Sequence, residues 1–517
     1  MTTPPLPPPP RWRRIARKIL MGFAGLFAAL VLLIVLRCVY VFRDRNPGYS
    51  VVIDRDNARA LAEPKALRVG FGRIRINPDI SDPARPVWMA GFSQNRAATK
   101  IHDDLWAVAI AIDDGYTRVG FVAIDAIGFF HDDVIDVRRK LPADARLDYS
   151  VVCSTHNHNT PDLMGLWGKN PFQTGVDARY RQQVIDNAAA ALVLAVSNLQ
   201  PARVAIHEIP TKPDGLVADT RKPEVFDSDI RVLHFTNPTN GATLGTLVGW
   251  ADHPETVWSK NTELTADFPG YLRDALENGF KHQGTLLESG VGGTHVFING
   301  AVGGLMSTTP SVTVRNPYLQ QDFKQPSHEK AQALGLQLAS RILPRLEDTK
   351  MPTSDRLPIS IRARTIEIPL DNTGFLIAPF IGLIDRGHVR WKILRTEVAL
   401  ITLGDASIAC IPGEIYPELV NGGIEKPPGG DYAVEPVEVP PIREMMPGNI
   451  KFIFGLANDE IGYIIPKSEW DREAPYLYNA KKSPYGEVNS VGPEAAGRIH
   501  DAFKELSRAK PANGRGG

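Results

Sequence analysis

VVCSTHNHNTPDLMG, residues 151–165, is the stretch that best predicts both the fold and the function of this chain. The apolar residues 149–153 predict a buried β-strand. The Ser, Thr, His and Asn residues that follow cannot continue in the interior of a strand, so polar side chains are expected at its C-terminal end. Open α/β sheets bind their ligands at that end. We therefore expect a ligand site at residues 154–160.

The two histidines of this stretch, His156 and His158, are separated by one residue. On an extended backbone, side chains alternate between the two faces, so both imidazoles would lie on the same side. One could bind a metal ion while the other contacts whatever the metal binds. The alternative interpretation is a loop with two solvent-facing histidines, because a His-x-His pattern is too short to be specific.

The composition is that of an ordinary globular protein. Of the 517 residues, 43% are hydrophobic and 22% are charged, so the chain can bury a large core. Lys and Arg number 58, as do Asp and Glu, and no basic stripe with interleaved aromatic residues follows the N-terminal region. We therefore expect no nucleic-acid partner. The sequence also gives no basis for inferring a protein partner.

The N-terminal region predicts a membrane anchor. A basic cluster at 11–18 precedes an uncharged apolar run at 19–36, which extends to Phe42 if Arg37 snorkels. We predict a single transmembrane helix over residues 19–42. The basic tail, residues 1–18, would remain cytoplasmic, which places the rest of the chain outside the cytoplasm, in the periplasm if the source is bacterial. A cleavable signal peptide is the alternative, but there is no small-x-small cleavage site, so an uncleaved signal anchor is favoured.

The remaining chain predicts one large α/β domain. Residues 107–112 and 119–124 form a hairpin signal around Asp113-Asp114-Gly115, and residues 177–199 predict a helix with Asp177 as its N-cap. A second helix is expected at 328–343. Strands mixed with helices indicate a mixed-sheet α/β domain at 66–509, preceded by a juxtamembrane stalk at 43–65 and followed by a flexible tail at 510–517.

The cysteines do not suggest a disulfide framework. The chain contains three, and one of them, Cys38, lies in the predicted membrane helix. Cys153 and Cys410 are the only pair left in the soluble region. We expect both to be free, buried thiols.

Three further stretches follow the same design as the first. The predicted strand 246–251 leads into His253, a hairpin at 399–411 leads into Glu414, and a polar loop at 455–462 leads into Tyr463. Each residue taken singly has an ordinary explanation as a capping histidine, a loop glutamate or a core tyrosine. Together, two imidazoles, a carboxylate and a phenol are ligands that a divalent metal accepts, and Zn²⁺ is the natural choice for nitrogen and oxygen ligands with an open position.

The order of these motifs resembles that of the neutral/alkaline non-lysosomal ceramidase family. The similar segments are VGFGRIRI (69–76), MAGF (89–92), CSTHNHNTP (153–161), ADHP (251–254), PGE (412–414), GY (462–463) and YGE (485–487). They run in the family's order from about residue 67 to residue 485. The domain at 66–509 is then expected to be a ceramidase-like metallohydrolase.

The resemblance implies both a reaction and a set of residues. One Zn²⁺ per chain would be bound by His156, His253, Glu414 and Tyr463. His158 and Tyr485 would flank the scissile group as hydrogen-bond donors or proton-transfer groups. The family reaction is hydrolysis of the amide bond of an N-acyl sphingoid base. A membrane anchor suits a lipid substrate, because it confines the active site near the bilayer.

Some residues depart from the family pattern. The family has a catalytic serine in an N-A-G-D/N-x-S-P loop, and the corresponding stretch here is NGAVGGLMSTTP, residues 299–310. Ser307 fits the serine position and is a further catalytic candidate, but Leu305 replaces the Asp/Asn and the proline is displaced. Family members also carry a C-terminal immunoglobulin-like domain, which we expect this chain to lack. Zinc-dependent amide hydrolysis is thus better supported than ceramide as the substrate.

We therefore expect a membrane-anchored zinc hydrolase that cleaves ceramide-like lipids. Two alternatives remain: a zinc esterase or amidase acting on another acylated envelope molecule, and an anchored binding protein without catalysis. An apolar acyl pocket would need aromatic residues, although such residues are more often part of the core. The candidates are Trp167, Phe172, Trp258, Phe380 and Trp391.

Overall fold

The computed structural model describes residues 10–308 and 311–508. Residues 1–9 of the predicted cytoplasmic tail, Pro310 and the predicted flexible tail at 510–517 lie outside the described residues. The α-helices are α1 Arg11–Val41, α2 Ala58–Ala62, α3 His131–Arg139, α4 Ala178–Ser197, α5 Asp267–Asn278, α6 His328–Leu346, α7 Thr373–Ile381, α8 Pro417–Asn421, α9 Ile442–Met445, α10 Tyr485–Val488 and α11 Ala495–Ser507.

The strands alternate with these helices along the chain, as a mixed α/β domain requires. They are β1 Val52–Arg55, β2 Arg68–Arg75, β3 Lys100–Ile101, β4 Trp106–Asp113, β5 Arg118–Ile124, β6 Tyr149–Ser154, β7 Gln200–Pro201, β8 Arg203–Ile209, β9 Ala218–Asp219, β10 Ile230–Thr236, β11 Thr243–Trp250, β12 Glu263–Leu264, β13 Phe280–His282, β14 Thr285–Glu288, β15 Thr294–Asn299, β16 Leu305–Met306, β17 Val314–Arg315, β18 Asp322–Phe323, β19 Ile359–Pro369, β20 Ile393–Leu403, β21 Ala406–Cys410, β22 Glu414–Ile415, β23 Ile450–Phe454 and β24 Tyr463–Ile464.

Three sheets surround a common apolar core. Their strand orders are β6-β5-β4-β2-β7, β15-β11-β10-β8 and β1-β19-β20-β21-β23. The core contains residues from all three sheets, including Phe121, Phe235 and Phe454. Each sheet therefore buries one face against the other two.

Helices cover the outer faces of the sheets. Helix α4 packs on β2 and β4, α5 and α6 pack on the second sheet, and α11 packs on β19 and β20. The residues of β4 alternate between two faces: Val108 and Ile110 belong to the common core, whereas Ala107 and Ala109 face α4. A strand buried on both faces is apolar at every position, which explains why this stretch lacks polar alternation.

The VGFG motif at the start of the domain is explained by the packing of α4. A Cβ atom at Gly70 would lie 2.1 Å from the carbonyl oxygen of Ala195, and one at Gly72 would lie 2.3 Å from that of Ala191. The helix backbone thus rests directly on the strand. Glycine is required at both positions because any side chain would separate the helix from the sheet.

Most of the secondary structure predicted from the sequence is confirmed. β4 and β5 form the expected antiparallel hairpin, and α4 begins after Asp177, whose side chain accepts hydrogen bonds from the backbone N–H groups of Arg179 and Tyr180. Helix α6 begins at His328 as expected and extends to Leu346. Cys153 and Cys410 are free and buried.

The N-terminal helix is longer than predicted, and the segment that follows it contacts the domain. Helix α1 has 31 residues and is long and apolar enough to cross a membrane. Within the segment 43–65, however, β1 pairs with β19, with Val52 opposite Arg364. Asp44 also forms an ion pair with Arg395 at 2.6 Å. This segment is therefore docked on the domain over part of its length.

Candidate active site

Each of the three sheets contributes to one cluster of polar side chains. His156 follows β6 of the first sheet, and His253 follows β11 of the second. Glu414 and Tyr463 follow β21 and β23 of the third sheet, where they face each other as register partners in the short parallel pair β22–β24. The structure thus brings together all four residues that the sequence predicted as metal ligands.

The backbone at His156 is not extended, as the sequence pattern had suggested. Its φ is +65°, in the left-handed region that side chains other than glycine seldom adopt. Such outliers persist where the surrounding structure enforces them, often at functional sites. This turn, rather than the alternation of a strand, brings His156 and His158 together, with their Nε2 atoms 3.3 Å apart.

Backbone carbonyl oxygens orient all three imidazoles. The Nδ1 atoms of His156, His158 and His253 lie 2.7 Å, 3.1 Å and 2.8 Å from the carbonyl oxygens of Ile127, Gly91 and Leu305, respectively. A carbonyl oxygen can only accept a hydrogen bond, so each Nδ1 carries the hydrogen and a neutral ring leaves its Nε2 lone pair free. The three Nε2 atoms are directed towards the same region.

Gly91 explains the MAGF segment of the sequence. Its φ is +100°, and a Cβ atom at this position would lie 2.6 Å from the Cβ atom of His158. The absence of a side chain allows the Gly91 carbonyl to reach the His158 ring. The segment therefore positions a site residue and does not itself supply a reactive group.

The spacing of the polar atoms fits a tetrahedral metal ion. Ligand atoms about 2.0–2.1 Å from a zinc ion lie roughly 3.3 Å from one another. Glu414 Oε2 lies 3.1 Å from His156 Nε2 and 3.0 Å from His253 Nε2. The Tyr463 hydroxyl lies 3.3 Å from His253 Nε2. A carboxylate oxygen and an imidazole nitrogen without a hydrogen would both be acceptors at these distances, and a cation among them would remove their mutual repulsion.

Burial and neighbouring charge set the protonation states in the cluster. Burial, together with smaller effects from His156 and His253, lowers the pKa of His158 well below its ordinary value, so this ring is neutral at neutral pH. Burial opposes ionisation of Glu414, but His156 and His253 outweigh it and hold the pKa of this carboxylate below its ordinary value. Burial and Glu414 raise the pKa of Tyr463, which keeps the phenol protonated.

Two asparagines that sequence reasoning missed hold the strand ends together. The Asn299 side-chain amide donates to the carbonyl oxygens of Thr155 and Asp252 at 3.0 Å and 2.8 Å, which links the loops that carry His156 and His253. The Asn458 side chain accepts from the backbone N–H of Val152 at 3.0 Å. Asn299 is the last residue of β15 and Asn458 lies in a polar loop, so both stand near strand ends, as the candidate ligands do.

Two buried glutamates near the cluster were also missed. Burial raises the pKa of Glu255 to about 8, and one of its oxygens lies 3.9 Å from His158 Nδ1. Burial and Glu414 raise the pKa of Glu460 well above its ordinary value, and this residue lies close enough to His156 and Glu414 to share a metal with them. Glu255 directly follows the ADHP segment (251–254) and Glu460 lies in the polar loop at 455–462, but neither was singled out.

An apolar cavity opens over the cluster. About 90 Å³ of the cavity admits the centre of a water molecule, and His156, His158, Glu414 and Tyr463 lie on its wall. The apolar part of the wall includes Phe130, Leu166, Trp167, Leu370, Phe375 and Leu394. Of the five aromatic residues suggested for an acyl pocket, Trp167 lines the cavity, whereas the other four are not among the described lining residues.

The remaining two candidates take different positions. Tyr485 lines the cavity with its side chain 64% exposed, and its ring lies edge-on to that of Tyr463 at 5.9 Å. Ser307 is fully buried and is not among the described residues that line the cavity. Its hydroxyl has no hydrogen-bond partner among the described residues, and its carbonyl oxygen accepts from Lys330 Nζ at 2.9 Å.

Solved structures of ceramidases share this fold. A structure described as neutral ceramidase from Pseudomonas aeruginosa is similar with a TM-score of 0.62 and 16% sequence identity, covering 86% of this chain and 74% of that chain. A second, described as ceramidase complexed with C2, has a TM-score of 0.62 and 14% identity, covering 86% of this chain and 75% of that one. No protein-family model matches the sequence. The chain has the fold of neutral ceramidase, which confirms at the level of the fold the resemblance seen in the sequence motifs.

Proposed function

We propose that this protein is a membrane-anchored, zinc-dependent amidohydrolase that cleaves the N-acyl amide bond of ceramide-like sphingolipids, releasing a sphingoid base and a fatty acid. The observation that carries the proposal is the convergence of His156, His253, Glu414 and Tyr463 at the wall of an apolar cavity. The fold shared with structures described as ceramidases supports the same reaction.

The four converging residues would hold the metal ion. When bound there, Zn²⁺ would supply Lewis-acid polarisation of the amide carbonyl and would lower the pKa of a coordinated water to about 7. Among the acidic and phenolic groups around them, Glu414 is the one whose pKa is lowered, so it offers an ionised ligand at neutral pH. A neutral imidazole and an ionised carboxylate are the forms that bind metal.

His158 and Tyr485 would act on the substrate directly. His158 has a free Nε2 facing the cluster and a fixed tautomer, because its Nδ1–H is held by the Gly91 carbonyl. A neutral imidazole in this position can accept a proton and later donate it to the leaving amine. The phenol of Tyr485, at the cavity wall beside Tyr463, can donate a hydrogen bond to a polar group of the substrate.

The cavity wall supports a substrate with a long apolar part. Phe130, Leu166 and Phe375 would contact an acyl or sphingoid chain, since burying apolar surface contributes about 25 cal/mol per Å². Ser307 stays a catalytic candidate by resemblance, and its hydroxyl would have to leave its buried position to reach the cavity. Ser307→Ala tests this role, and from the buried position we expect little change in hydrolysis.

Helix α7 supports a membrane-bound orientation for the cavity. It contributes Phe375 and Pro379 to the cavity wall and contacts the C-terminal part of α1. Arg37 of α1 donates to the carbonyl oxygens of Phe380 and Pro379 at 2.8 Å and 3.1 Å. If α1 spans the membrane with its basic end in the cytoplasm, the cavity lies close to the outer surface of the bilayer, where a lipid substrate resides.

The proposal is tested by measuring zinc content and hydrolysis of a fluorescent N-acyl sphingosine by the full chain in mixed micelles. We expect about one catalytic zinc ion in wild type, and in His253→Ala loss of that ion together with a fall in kcat/KM of at least about 100-fold. His282→Ala is the matched control, because His282 is exposed and lies in β13, away from the cluster.

Three other outcomes would change the proposal. A chain that binds no zinc and cleaves no amide would overturn it in favour of an anchored binding protein. Zinc binding without amide cleavage would exclude the ceramide-like substrate and lead to tests on other acylated molecules. Amide cleavage that survives in His253→Ala would show that the converging residues do not form the active centre.

A further inference from the structure

A second cluster of metal-binding side chains lies outside the cavity. It consists of His102, Glu263 and His328, each of which offers one ligand atom within 4.8 Å of the others. We propose that this cluster, the surface cluster, binds a second divalent transition-metal ion, with Zn²⁺ as the best match. The inference goes beyond the proposed hydrolysis and does not depend on it.

The three residues come from distant parts of the chain. His102 directly follows β3, Glu263 lies in β12, and His328 is the first residue of α6. β3 and β12 form a parallel pair, and the backbone N–H of His102 donates to the carbonyl oxygen of Leu264 at 2.8 Å. This pairing places His102 beside Glu263, and the start of α6 brings His328 to the same place.

Both imidazoles approach the same carboxylate oxygen. Glu263 Oε2 lies 3.3 Å from His102 Nδ1 and 3.6 Å from His328 Nε2. The two rings stack nearly parallel, with their centroids 3.6 Å apart. Because the lone pair of an imidazole nitrogen lies in the plane of its ring, one ring would turn out of the stack for His102 Nδ1, His328 Nε2 and Glu263 Oε2 to bind one ion. These atoms are spaced much as neighbouring ligands of a tetrahedral zinc ion, roughly 3.3 Å apart.

A neighbouring hydroxyl orients one of the rings. The Tyr271 hydroxyl, on α5, lies 3.0 Å from His102 Nε2. When Nε2–H donates to this oxygen, Nδ1 keeps the lone pair that a metal ion needs. Metal-binding histidines commonly make such a second contact, which fixes the tautomer and the orientation of the ring.

The types of ligand favour one class of metal ion, and the partial exposure of the side chains leaves the site accessible to it. Two imidazole nitrogens and a carboxylate oxygen suit Zn²⁺ and its transition-metal neighbours, whereas Ca²⁺ and Mg²⁺ prefer oxygen ligands alone. The side chains of His102, Glu263 and His328 are 29%, 31% and 22% exposed, so an ion can enter from solvent and water can fill a fourth position.

An ion at the surface cluster would brace the loop behind the cavity. The segment that contains Glu263 is bonded to the His156–His158 loop, since Thr265 N donates to the Asn159 carbonyl at 3.2 Å and the Asn157 amide donates to the Thr265 carbonyl at 2.8 Å. The ion would connect this segment to β3 and to α6. Its role is therefore structural, at a distance from the reacting groups.

The test is equilibrium dialysis of the full chain against Co²⁺ and against Zn²⁺, followed by metal analysis, with the visible absorption of tetrahedral Co²⁺ as a second readout. We expect about two ions per chain in wild type and about one in His328→Gln, Glu263→Gln or His253→Ala. The double variant His253→Ala/His328→Gln should bind essentially none. His282→Gln, which replaces an exposed histidine elsewhere, should retain both.

Lys100 provides a second test, because its ammonium lies 3.3 Å from Glu263 Oε1 and competes with a metal ion for the carboxylate. Removing this charge in Lys100→Gln should tighten metal binding about two- to five-fold, the range expected for an exposed charge pair. The proposal is overturned if His328→Gln retains the metal content and Co²⁺ spectrum of wild type. It is also overturned if two results occur together: His328→Gln keeps the metal affinity of wild type, and Lys100→Gln does not change that affinity.

Discussion

Two clusters in this molecule present the same types of candidate metal ligand in different surroundings. In the buried centre, His156 and His253 converge on Glu414, and all three side chains are at most 8% exposed. In the surface cluster, His102 and His328 converge on Glu263, and all three are partly exposed. Backbone carbonyls orient the buried imidazoles, whereas a tyrosine hydroxyl orients His102.

The difference shows that ligand chemistry alone does not decide what a metal site does. A buried ligand fixed by the backbone has few alternative positions, so little ordering is lost when an ion binds. The buried centre also adjoins a cavity that can admit a substrate, while the surface cluster adjoins solvent and a competing lysine. We therefore propose catalysis at the buried centre and a structural role for the surface cluster.

The largest expected contrast comes from making the same substitution in both clusters. Glu414→Gln should lower amide hydrolysis by about 1,000-fold, because losing metal-assisted polarisation removes several kcal/mol of transition-state stabilisation. Glu263→Gln should leave hydrolysis nearly unchanged while removing the ion at the surface. Steady-state kinetics on the fluorescent lipid and metal analysis of each variant check both. Equal losses of hydrolysis in the two variants would contradict the division of roles.

A smaller contrast is expected from the two tyrosines. Tyr463→Phe removes an oxygen from the buried centre and should lower both its zinc affinity and hydrolysis about 10- to 100-fold. Tyr271→Phe removes only the hydroxyl that orients His102 and should weaken the surface cluster about 10-fold without changing hydrolysis. Competition with a zinc-binding dye measures the affinities. If Tyr271→Phe impaired hydrolysis as much as Tyr463→Phe, the two clusters would not be independent.

The smallest expected effect is the order in which the ions leave. During treatment with a chelator, the partly exposed surface ion should be lost first, because water and chelator reach its ligands directly. Hydrolysis should persist through this first phase and fall only with the second. Parallel time courses of metal content and activity measure this, with His328→Gln as the control that lacks the first phase. Loss of activity together with the first ion would reverse the assignment.

Much of the fold follows from local sequence patterns. The Asp177 cap, the start of α6 at His328 and the β4–β5 hairpin were all predicted, because capping residues and turn signals act over a few residues. The strand at 52–55 was not predicted, for the opposite reason. β1 pairs with β19, more than 300 residues further along the chain, and no local signal reveals such a partner.

The candidate ligands could also be identified from sequence, since each follows a strand end. The arrangement of these residues in space could not be predicted from the sequence. Nothing in the pattern around Ser307 indicates that its side chain is fully buried, and nothing around Gly91 indicates that its carbonyl orients His158. Glu255 was overlooked because a glutamate after His-Pro looks like a solvated charge until its burial is known.

The sequence by itself determined the apolar N-terminal helix and the mixed α/β class, and it supplied the four residues that we propose as buried metal ligands, because hydrophobic periodicity and strand-end motifs are local properties. The tertiary structure decided which of these residues meet. Three sheets share one core, and that core brings the loop ends of β6, β11, β21 and β23 together. The surface cluster arises in the same way, from β3, β12 and α6. Such long-range packing depends on the whole chain, so only the folded molecule distinguishes a metal-binding group from an isolated histidine.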